Sequence, residues 1–583
     1  MYKRQFLNTL GVDRDFIQAF ADDLVILISG ICKNTVQDIA QHHLNNINRW
    51  CRTKGLKLSA LKSKAMLFTN RRDNILHTQL KVGDDEVPLV DDTVYLGVTI
   101  DKKLTWAPHI QRKCDSAVKN LHACNKAVGK TWGFSPSNVR WIYNQVIIPS
   151  LGYAAFAWQH KANETQYLKA RITTVHRQAC VMISRGLGST PTENLEIAAG
   201  VKPINLKLQE MAALTARRMK IQGNWNSNYS YNRQGNCNSH AHRIDKILEA
   251  VPLTHCRLYD AIPAELYLHR RFKIVIQDRE AALEFPSRVQ STWVIYTDGS
   301  RIKQHSGAGY CVISADKEIH RQSFHLGTQA TVYQCEIFAL NMAAHWIKTN
   351  TSPSGSITFF SDSQAAIKAL QATTISSKLI KDTLETFNTL GENYTVDLRW
   401  IPGHMGAAGN ERADELARAG SLAMEQGPEP YLPLSEGVIK AAITAHIHSI
   451  HLRAYKNTAL SEKGKIPLSI ILKKYKYRGF KVAGKEQRWL TWLLSGHSPL
   501  AYFQYKANNF MVPFCEHCPG EEETSEHFLC HCVGYMTIRL HTLGSPILTW
   551  EKVISHKLSS IFSYIEATKR FDGEDIFTER REE

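Results

Sequence analysis

The chain has 583 residues, and its 71 Lys and Arg against 54 Asp and Glu give a formal charge of +17. A chain of this length is expected to form about three to five domains. A composition with 43% hydrophobic and 9% aromatic residues excludes a disordered or fibrous chain. The positive charge favours a polyanionic partner, with nucleic acid as the first candidate and an acidic membrane surface as the second.

The sequence contains neither a membrane span nor a secretion signal that we can recognise. No run approaches the roughly 18 apolar residues that a span needs, and the first ten residues lack an apolar stretch ending in small residues. We therefore expect an intracellular protein, nuclear or cytoplasmic, without a membrane partner. The 13 cysteines indicate free thiols and one metal site rather than a disulfide framework, because nine are scattered and four crowd together at 515–532.

The pattern of the chain changes along its length. Residues 16–28 predict a β-hairpin with Asp22 and Asp23 at its tip. Residues 101–220 predict basic helices, and the Asn-rich stretch 224–243 is typical of a linker. The expected order is a first region (1–100), a helical region (101–220), a linker (221–290), a mixed α/β domain (291–422), a helical basic segment (435–510), a Cys/His module (511–545) and a tail (546–583).

Four carboxylates of the α/β domain point to chemistry: Asp298 and Asp362 end apolar strands, and Glu336 and Asp414 lie on helices. In a cleft of low dielectric constant such acids would repel one another unless a cation neutralised them. Oxygen ligands suit Mg²⁺ or Mn²⁺, and two such ions about 4 Å apart activate water and stabilise the leaving oxygen of a phosphodiester. Any single acid of this kind is more often a turn or cap residue, so the prediction rests on all four together.

The motifs of this domain resemble those of ribonuclease H. They are YTDGS (296–300), QCE (334–336), SDSQ (361–364) and IPGHMGAAGNERADELA (401–417), in the order and spacing of that family. The resemblance implies that Asp298, Glu336, Asp362 and Asp414 bind a metal pair. It also implies that His404, in a loop before the last helix, assists product release or proton transfer, although a loop His is often only exposed.

The resemblance further implies endonucleolytic cleavage of the RNA strand of RNA–DNA hybrids, leaving 5′-phosphate and 3′-hydroxyl ends. A protein can distinguish a hybrid from an RNA duplex because one strand lacks 2′-hydroxyl groups, which it senses across the wide minor groove. By motif position, Ser300, Gln334 and Gln364 are the expected contacts to this substrate.

The first region resembles part of the reverse transcriptases of non-LTR (LINE-type) retrotransposons. The motif FADD (20–23) is followed by GLKLSALKSKAMLF (55–68), YLGVTIDKKLTWAPHI (95–110) and IYNQVIIPSLGYAAFAW (142–158). The resemblance assigns Asp22 and Asp23 to the carboxylate pair of the polymerase palm and Lys62 to the palm lysine.

A polymerase also needs a third carboxylate from an earlier strand and fingers that hold the template and the nucleotide. The chain begins only a few residues before the hairpin, so we expect a palm remnant without autonomous DNA synthesis. Such a chain is either a fragment of a longer element protein or a decayed copy. A second polypeptide that supplies fingers stays open as a partner.

The Cys/His module has the ligand types of a tetrahedral zinc site: Cys515, Cys518 and His527, with a fourth ligand close behind. Spacing leaves Cys530 and Cys532 both open as that fourth ligand. Resemblance to the C-terminal CCHC cluster of LINE-type element proteins favours Cys532. The alternative is a set of buried thiols without metal, but so small a segment would hardly fold without its ion.

The basic segment carries alternating cations and aromatic residues, a pattern that suits phosphate contact and base stacking. The alternative is a solvated helix face with its aromatic residues in the core. The candidate nucleic-acid-binding residues here are Lys473, Lys474, Tyr475 and Arg478.

Taken together, the resemblances imply the C-terminal part of a LINE-type retrotransposon polyprotein. The expected fold is multidomain α/β and α. A partial reverse transcriptase palm and helical thumb precede a ribonuclease H-like mixed sheet with flanking helices, and a helical segment and a zinc knuckle follow. The expected partners are RNA–DNA hybrid, RNA and DNA, and the expected cofactors are two Mg²⁺ or Mn²⁺ ions and Zn²⁺. The alternative function is a catalytically inactive nucleic-acid-binding relic.

Overall fold

The computed structural model describes residues 16–69, 79–127, 134–225, 227, 229, 237, 239–255, 258–284, 289–352, 355–423, 427–458, 482, 484–507 and 512–572. The chain forms two compact units. The first combines Met1–Asn205 with Thr458–Glu583, and the second is Leu206–Asn457. None of the described helices combines the length and the apolar character that are needed to cross a membrane.

The N-terminal stretch begins with three antiparallel strand pairs, β1 with β2, β3 with β4 and β5 with β6, and continues as helices. The strands are β1 (Phe16–Phe20), β2 (Asp23–Leu27), β3 (Lys81–Val82), β4 (Asp85–Glu86), β5 (Asp92–Tyr95) and β6 (Val98–Asp101). The helices are α1 (Lys33–Thr53), α2 (Ala107–Lys126), α3 (Pro136–Ile142), α4 (Ile148–Leu151), α5 (Ala155–Glu164), α6 (Gln166–Ser184), α7 (Thr192–Ala199) and α8 (Ile204–Ile221).

The rest of the chain alternates strands and helices before a helical C-terminal stretch. Its strands are β7 (Ala261–Leu266), β8 (Lys273–Val275), β9 (Trp293–Ile302), β10 (His305–Ser314), β11 (Lys317–His325), β12 (Ser356–Ser361), β13 (Thr374–Ser377), β14 (Thr395–Trp400), β15 (Phe514–Cys515) and β16 (Cys518–Glu522). Its helices are α9 (His240–Glu249), α10 (Arg279–Glu284), α11 (Val332–Asn350), α12 (Gln364–Gln371), α13 (Lys378–Leu390), α14 (Ala408–Leu422), α15 (Glu436–Thr458), α16 (Gly484–Ser495), α17 (Ala501–Ala507), α18 (Met536–Leu543), α19 (Trp550–Ser555) and α20 (Leu558–Thr568).

The second unit is organised around a six-stranded mixed sheet in the order β11-β10-β9-β12-β14-β8. β10 runs antiparallel to β9 and β11, whereas β9, β12, β14 and β8 run parallel to one another. One face packs against α11, α12 and α13 around Ile337, Phe359 and Phe387. The other packs against α14 around Phe360 and Leu416. The predicted mixed sheet with flanking helices is therefore confirmed.

Local sequence explains how the two principal helices meet this sheet. α11 begins with a capping box, in which the Thr331 side chain accepts from the Gln334 amide and the Gln334 side chain accepts from the Thr331 amide. Its buried apolar residues recur at helical spacing and face the sheet. α14 lies unusually close to β10, because a Cβ at Gly309 would stand 2.5 Å from the Ala417 amide nitrogen.

Two stretches carry more regular structure than the sequence indicated. The expected linker contains α9, β7, β8 and α10; β7 pairs with β13, and β8 forms the edge of the six-stranded sheet. The cause is long-range packing, since Ile274 packs against the core cluster and Asp260 accepts from the Ser377 hydroxyl and the Leu379 amide. The expected tail contains α19 and α20, and the α20 residue Tyr564 donates to the Phe528 carbonyl.

Candidate active site

Three acidic side chains from separate elements of the second unit converge at one edge of the sheet. Asp298 lies within β9, opposite Gly309 of β10, so the strand continues past the point where the sequence suggested its end. Glu336 lies in the first turns of α11, and Asp362 follows β12 directly. One carboxylate oxygen from each of the three lies within 4.8 Å of the others.

This convergence depends on Gly299 of β9, which lies where α11 packs against the strand. A Cβ at Gly299 would stand 2.7 Å from the Glu336 amide nitrogen and 2.9 Å from Cys335 Cβ. Only glycine therefore lets the first turns of α11 approach β9 closely enough to bring Glu336 beside Asp298.

The site holds its carboxylates in surroundings that oppose their ionisation. Asp298 is 7% exposed and Glu336 5% exposed. Burial, followed by the charges of Asp362 and Asp414, raises the pKa of Asp298 to about 8. Burial and the neighbouring Asp298 and Asp362 raise the pKa of Glu336 well above its ordinary value. The pKa of Asp362 is raised as well, chiefly by burial.

Asp414, the fourth predicted ligand, lies beside this group rather than within it. Its charge and a side-chain hydrogen bond help to raise the pKa of Asp298, so it is a near neighbour. The same carboxylate pairs with Arg418 at 2.8 Å and stands 4.0 Å from Nδ1 of His404. The structure therefore brings three predicted ligands together and places the fourth at their margin.

The loop between β14 and α14 lies against Asp362. A Cβ at Gly403 would stand 2.5 Å from Asp362 Oδ2, so this approach also requires glycine. The His404 side chain is 73% exposed, and its charge, when protonated, lowers the pKa of Asp362. An exposed imidazole beside the carboxylates can exchange protons with solvent and with a bound phosphodiester.

Asn410 is a site residue that the sequence analysis quoted within a motif but did not single out. It is 3% exposed, and its side-chain hydrogen bond to Asp362 lowers the pKa of that carboxyl. It thereby favours the ionised form and fixes the orientation of Asp362. Its place within the motif IPGHMGAAGNERADELA, a few residues after His404, is the signal that could have found it.

The donor set fits a hard divalent cation. All three converging groups are carboxylates, and Glu336 Oε2 has no hydrogen-bond partner among the described residues. A buried carboxylate oxygen without a partner is costly unless an ion neutralises it. Oxygen-only ligation with open positions for water and phosphate is what Mg²⁺ and Mn²⁺ prefer.

The structure places the residues predicted to contact nucleic acid in different environments. Ser300 is half-buried on β9, and Gln364 is half-buried, with its amide oxygen accepting from Lys368 at 3.1 Å. The Gln334 side chain is instead 1% exposed and donates to the Pro433 carbonyl at 2.8 Å, so its position gives it a structural role within the cap of α11. The other four candidates, Lys473, Lys474, Tyr475 and Arg478, lie outside the described residues.

In the first unit, the four predicted zinc ligands also converge. One donor atom each of Cys515, Cys518, His527 and Cys532 lies within 4.8 Å of the others, and all four residues are buried. The sulfur of Cys532 stands 3.7 Å from that of Cys515 and 3.9 Å from that of Cys518. A tetrahedral zinc ion with bonds of about 2.3 Å sets its sulfur ligands about 3.8 Å apart.

The structure also separates the two cysteines between which spacing could not choose. Cys530 stands outside the ligand group, is fully buried, and has a pKa raised to about 12 by burial. It therefore behaves as an apolar core residue, and Cys532 completes the set.

Arg539 on α18 fixes the ligand loop and was missed by the sequence analysis. Its guanidinium is fully buried and donates to the carbonyls of Leu529 at 2.9 Å and Cys532 at 3.0 Å. A further donation at 2.6 Å reaches Pro546. Arg on a helix normally indicates a solvated face, so the sequence offered no signal for this contact.

The hairpin of β1 and β2 presents Asp22 and Asp23 at its exposed turn, and Lys62 is exposed as well. In the described part of the chain, neither Asp22 nor Asp23 belongs to a group of three potential metal ligands.

Comparison with known proteins agrees with this geometry. Residues 290–422 match the family model RNase H. A retrovirus-related Pol polyprotein from type-1 retrotransposable element R1 3 of Nasonia vitripennis is 24% identical over 211 residues, which are 34% of this chain and 54% of that protein. A probable RNA-directed DNA polymerase from transposon BS of Drosophila melanogaster is 27% identical over 108 residues, 18% of this chain and 12% of that protein.

Among solved structures, RNase H1 from the halophilic archaeon Halobacterium salinarum is 22% identical, with a TM-score of 0.19, and covers 22% of this chain and 96% of that one. The family match identifies residues 290–422 as an RNase H domain. The chain that carries it is related to the Pol polyproteins of R1-type, LINE-type retrotransposons, as the motifs predicted, and it spans about half or less of the length of these curated relatives.

Proposed function

We propose that the RNase H domain hydrolyses the RNA strand of RNA–DNA hybrids with the aid of two Mg²⁺ or Mn²⁺ ions. The observation that carries this proposal is the convergence of Asp298, Glu336 and Asp362 within 4.8 Å. These acids come from three separate elements, and burial together with the charges of neighbouring acids raises their pKa values. Such an arrangement destabilises the fold unless it serves to hold cations.

Each residue of the site has a defined task in this proposal. Asp298, Glu336 and Asp362 would hold the ions, with Asp414 at the margin. The metal pair, when bound, supplies an activated water and charge stabilisation at the leaving oxygen. Asn410 orients Asp362, and His404, exposed and 4.0 Å from Asp414, carries a proton to or from the cleaved ends and assists product release.

The test is an assay with a hybrid that carries a label on its RNA strand, in the presence of Mg²⁺. We expect cleavage by the wild-type chain and a loss of at least about a hundredfold in Asp362→Asn, which keeps the shape but not the charge. Asp316→Asn is the matched control, because Asp316 is exposed in the turn between β10 and β11. It should cleave like the wild type.

A second candidate, a nucleic-acid-binding protein without catalysis, is favoured by the formal charge of +17. Binding of the hybrid without cleavage, in both wild type and Asp362→Asn, would support this candidate and contradict the hydrolase. RNA and DNA are proposed as further partners, because the same positive charge attracts any nucleic acid.

We also propose that the chain alone does not extend a primer on a poly(rA) template, because the described residues offer Asp22 and Asp23 no third carboxylate.

In the first unit, we infer that Cys515, Cys518, His527 and Cys532 bind one Zn²⁺. Three sulfurs and one nitrogen are the donors that zinc takes in closed structural sites. Burial lowers the pKa of His527, which favours the neutral imidazole that a metal requires.

A further inference from the structure

The segment before the RNase H domain reaches its active-site edge. β8 pairs parallel with β14, Ile274 opposite Leu398 and Val275 opposite Arg399. Parallel strands end at the same edge of a sheet. β12, which precedes Asp362, and β14, which precedes the His404 loop, both end there. The chain that leaves β8 therefore continues along the edge where the carboxylates lie.

Local contacts hold this continuation in place. Asp278 caps α10, since its side chain accepts from the Ala281 amide at 2.9 Å. Ala282 is 2% exposed, and Val289, beyond the helix, packs against the apolar cluster that includes Tyr296 and Ile401. α10 is thus anchored on the side of the sheet that carries α14.

Arg279, the first residue of α10, contacts the loop between β14 and α14. Its Nη2 lies 3.4 Å from Sδ of Met405, the residue after His404. Arg279 is exposed, and it makes no ion pair with a carboxylate in the described part of the chain. A thioether is a weak acceptor, so most of the guanidinium's five donors remain available. An exposed guanidinium fork is the side chain best suited to a phosphate group.

We propose that Arg279 forms a phosphate-binding subsite that holds the sugar–phosphate backbone of the hybrid beside the His404 loop. It lies outside residues 290–422, which match the RNase H family, and reaches the site only because β8 joins the sheet. The inference rests on the proposed function for the identity of the substrate. Arg279 is a positioning residue: it fixes the strand relative to the carboxylates and takes no part in the chemical step.

The experiment scans the hybrid with single methylphosphonates, each of which removes the charge of one phosphate, and uses the full chain. In the wild type, neutralising the contacted phosphate should lower kcat/KM about fivefold. Arg279→Ala should lower kcat/KM about fivefold on the unmodified hybrid. In this variant, neutralising the contacted phosphate should lower kcat/KM no further. Arg279→Lys should retain part of the effect, because it keeps the charge but not the fork.

The matched control is Arg271→Ala, which removes an equal charge from the same segment. Arg271 pairs with Glu392 at 2.5 Å, at the end of α13, and this variant should show the wild-type pattern at every phosphate. Equal scans for wild type and Arg279→Ala, with equal melting curves, would overturn the inference.

Binding measured in the Asp362→Asn background separates the two proposals. If neither the wild type nor any variant cleaves the hybrid, but neutralising one phosphate lowers hybrid affinity only when Arg279 is present, the subsite is supported and hydrolysis is contradicted. If the wild type cleaves and no phosphate couples to Arg279, hydrolysis stands and the subsite fails.

Discussion

At the scale of single residues, the candidate active site holds acidic side chains close together in surroundings that oppose their ionisation. Asp298 and Glu336 are buried and Asp362 is half-buried beside them. The charge of His404, when protonated, and the side chain of Asn410 favour the ionised form of Asp362. Sequence motifs identify such acids, but the conflict between their charges and their surroundings appears only when their burial is known. It has a measurable consequence for stability in the absence of metal.

We expect the second unit to lose stability as the pH rises when divalent cations are absent. The folded pKa of Asp298 is about 8 and lies above its ordinary value of 3.8. The folded state therefore binds a proton that the unfolded state has released, and stability falls between about pH 4 and pH 8. Glu336 and Asp362 shift in the same direction. Hydrogen exchange of β9 and α11 amides in the full chain, with chelator at pH 5 and pH 8, measures this loss.

Added Mg²⁺ should restore protection at pH 8, because a cation that binds only the folded state stabilises it. Asp298→Asn removes one of the conflicting charges and should reduce both the pH effect and the response to Mg²⁺. Protection that is the same at both pH values, with and without the ion, would contradict the electrostatic interpretation.

At the scale of elements, the proposed zinc site depends on the elements that carry its four ligands and on a buried arginine. β15, β16 and the following helical turns bring the ligands together, while Arg539 on α18 holds the carbonyls of the ligand loop. Tyr564 of α20 also donates to Phe528 in that loop, at 2.6 Å. The module therefore extends beyond residue 545, into helices that the sequence assigned to a tail.

Replacing Cys532 should abolish zinc binding, whereas replacing Cys530 should not. Cys532→Ser removes a sulfur that lies 3.7 Å from that of Cys515, while Cys530 stands outside the ligand group. The zinc content of the purified chain should fall from one ion to none in the first variant and stay at one in the second. Cobalt substitution adds a check through its thiolate absorption bands. Zinc loss in Cys530→Ser with retention in Cys532→Ser would reverse the assignment.

At the scale of the whole molecule, the clustering of the motif residues was easier to predict from the sequence than the architecture. The residues of the candidate sites are particular types at restricted spacing, so the motifs could single out Asp298, Glu336 and Cys515, which the structure places in two clusters of potential metal ligands. β8 has only three residues, too few for a periodic signal, and it forms because a distant strand offers an edge. Gln334 looked like a surface contact, but its role as a cap depends on Thr331 and Pro433.

The first unit also joins stretches that are far apart in the sequence. α16, from the C-terminal stretch, packs against α6 and α7: Thr491 donates to the Ser184 carbonyl at 2.8 Å and Gln487 to the Ala198 carbonyl at 3.1 Å. A Cβ at Gly186 would stand 2.9 Å from Thr491 Cγ2, so the approach is close. α16 buries Leu493 almost completely, with 1% exposed. This contact makes the C-terminal stretch part of the same compact unit as α6 and α7.

A chain divided between Asn457 and Thr458 should therefore reassemble from its two pieces. Apolar burial and the two buried hydrogen bonds of α16 provide the association energy, and co-expressed fragments should elute together in size-exclusion chromatography. Leu493→Asp places a charge in the contact and should weaken association at least about tenfold. Lys485→Ala, on the same helix with a side chain 62% exposed, should leave it unchanged. Folded fragments that elute separately would show that α16 does not hold the unit together.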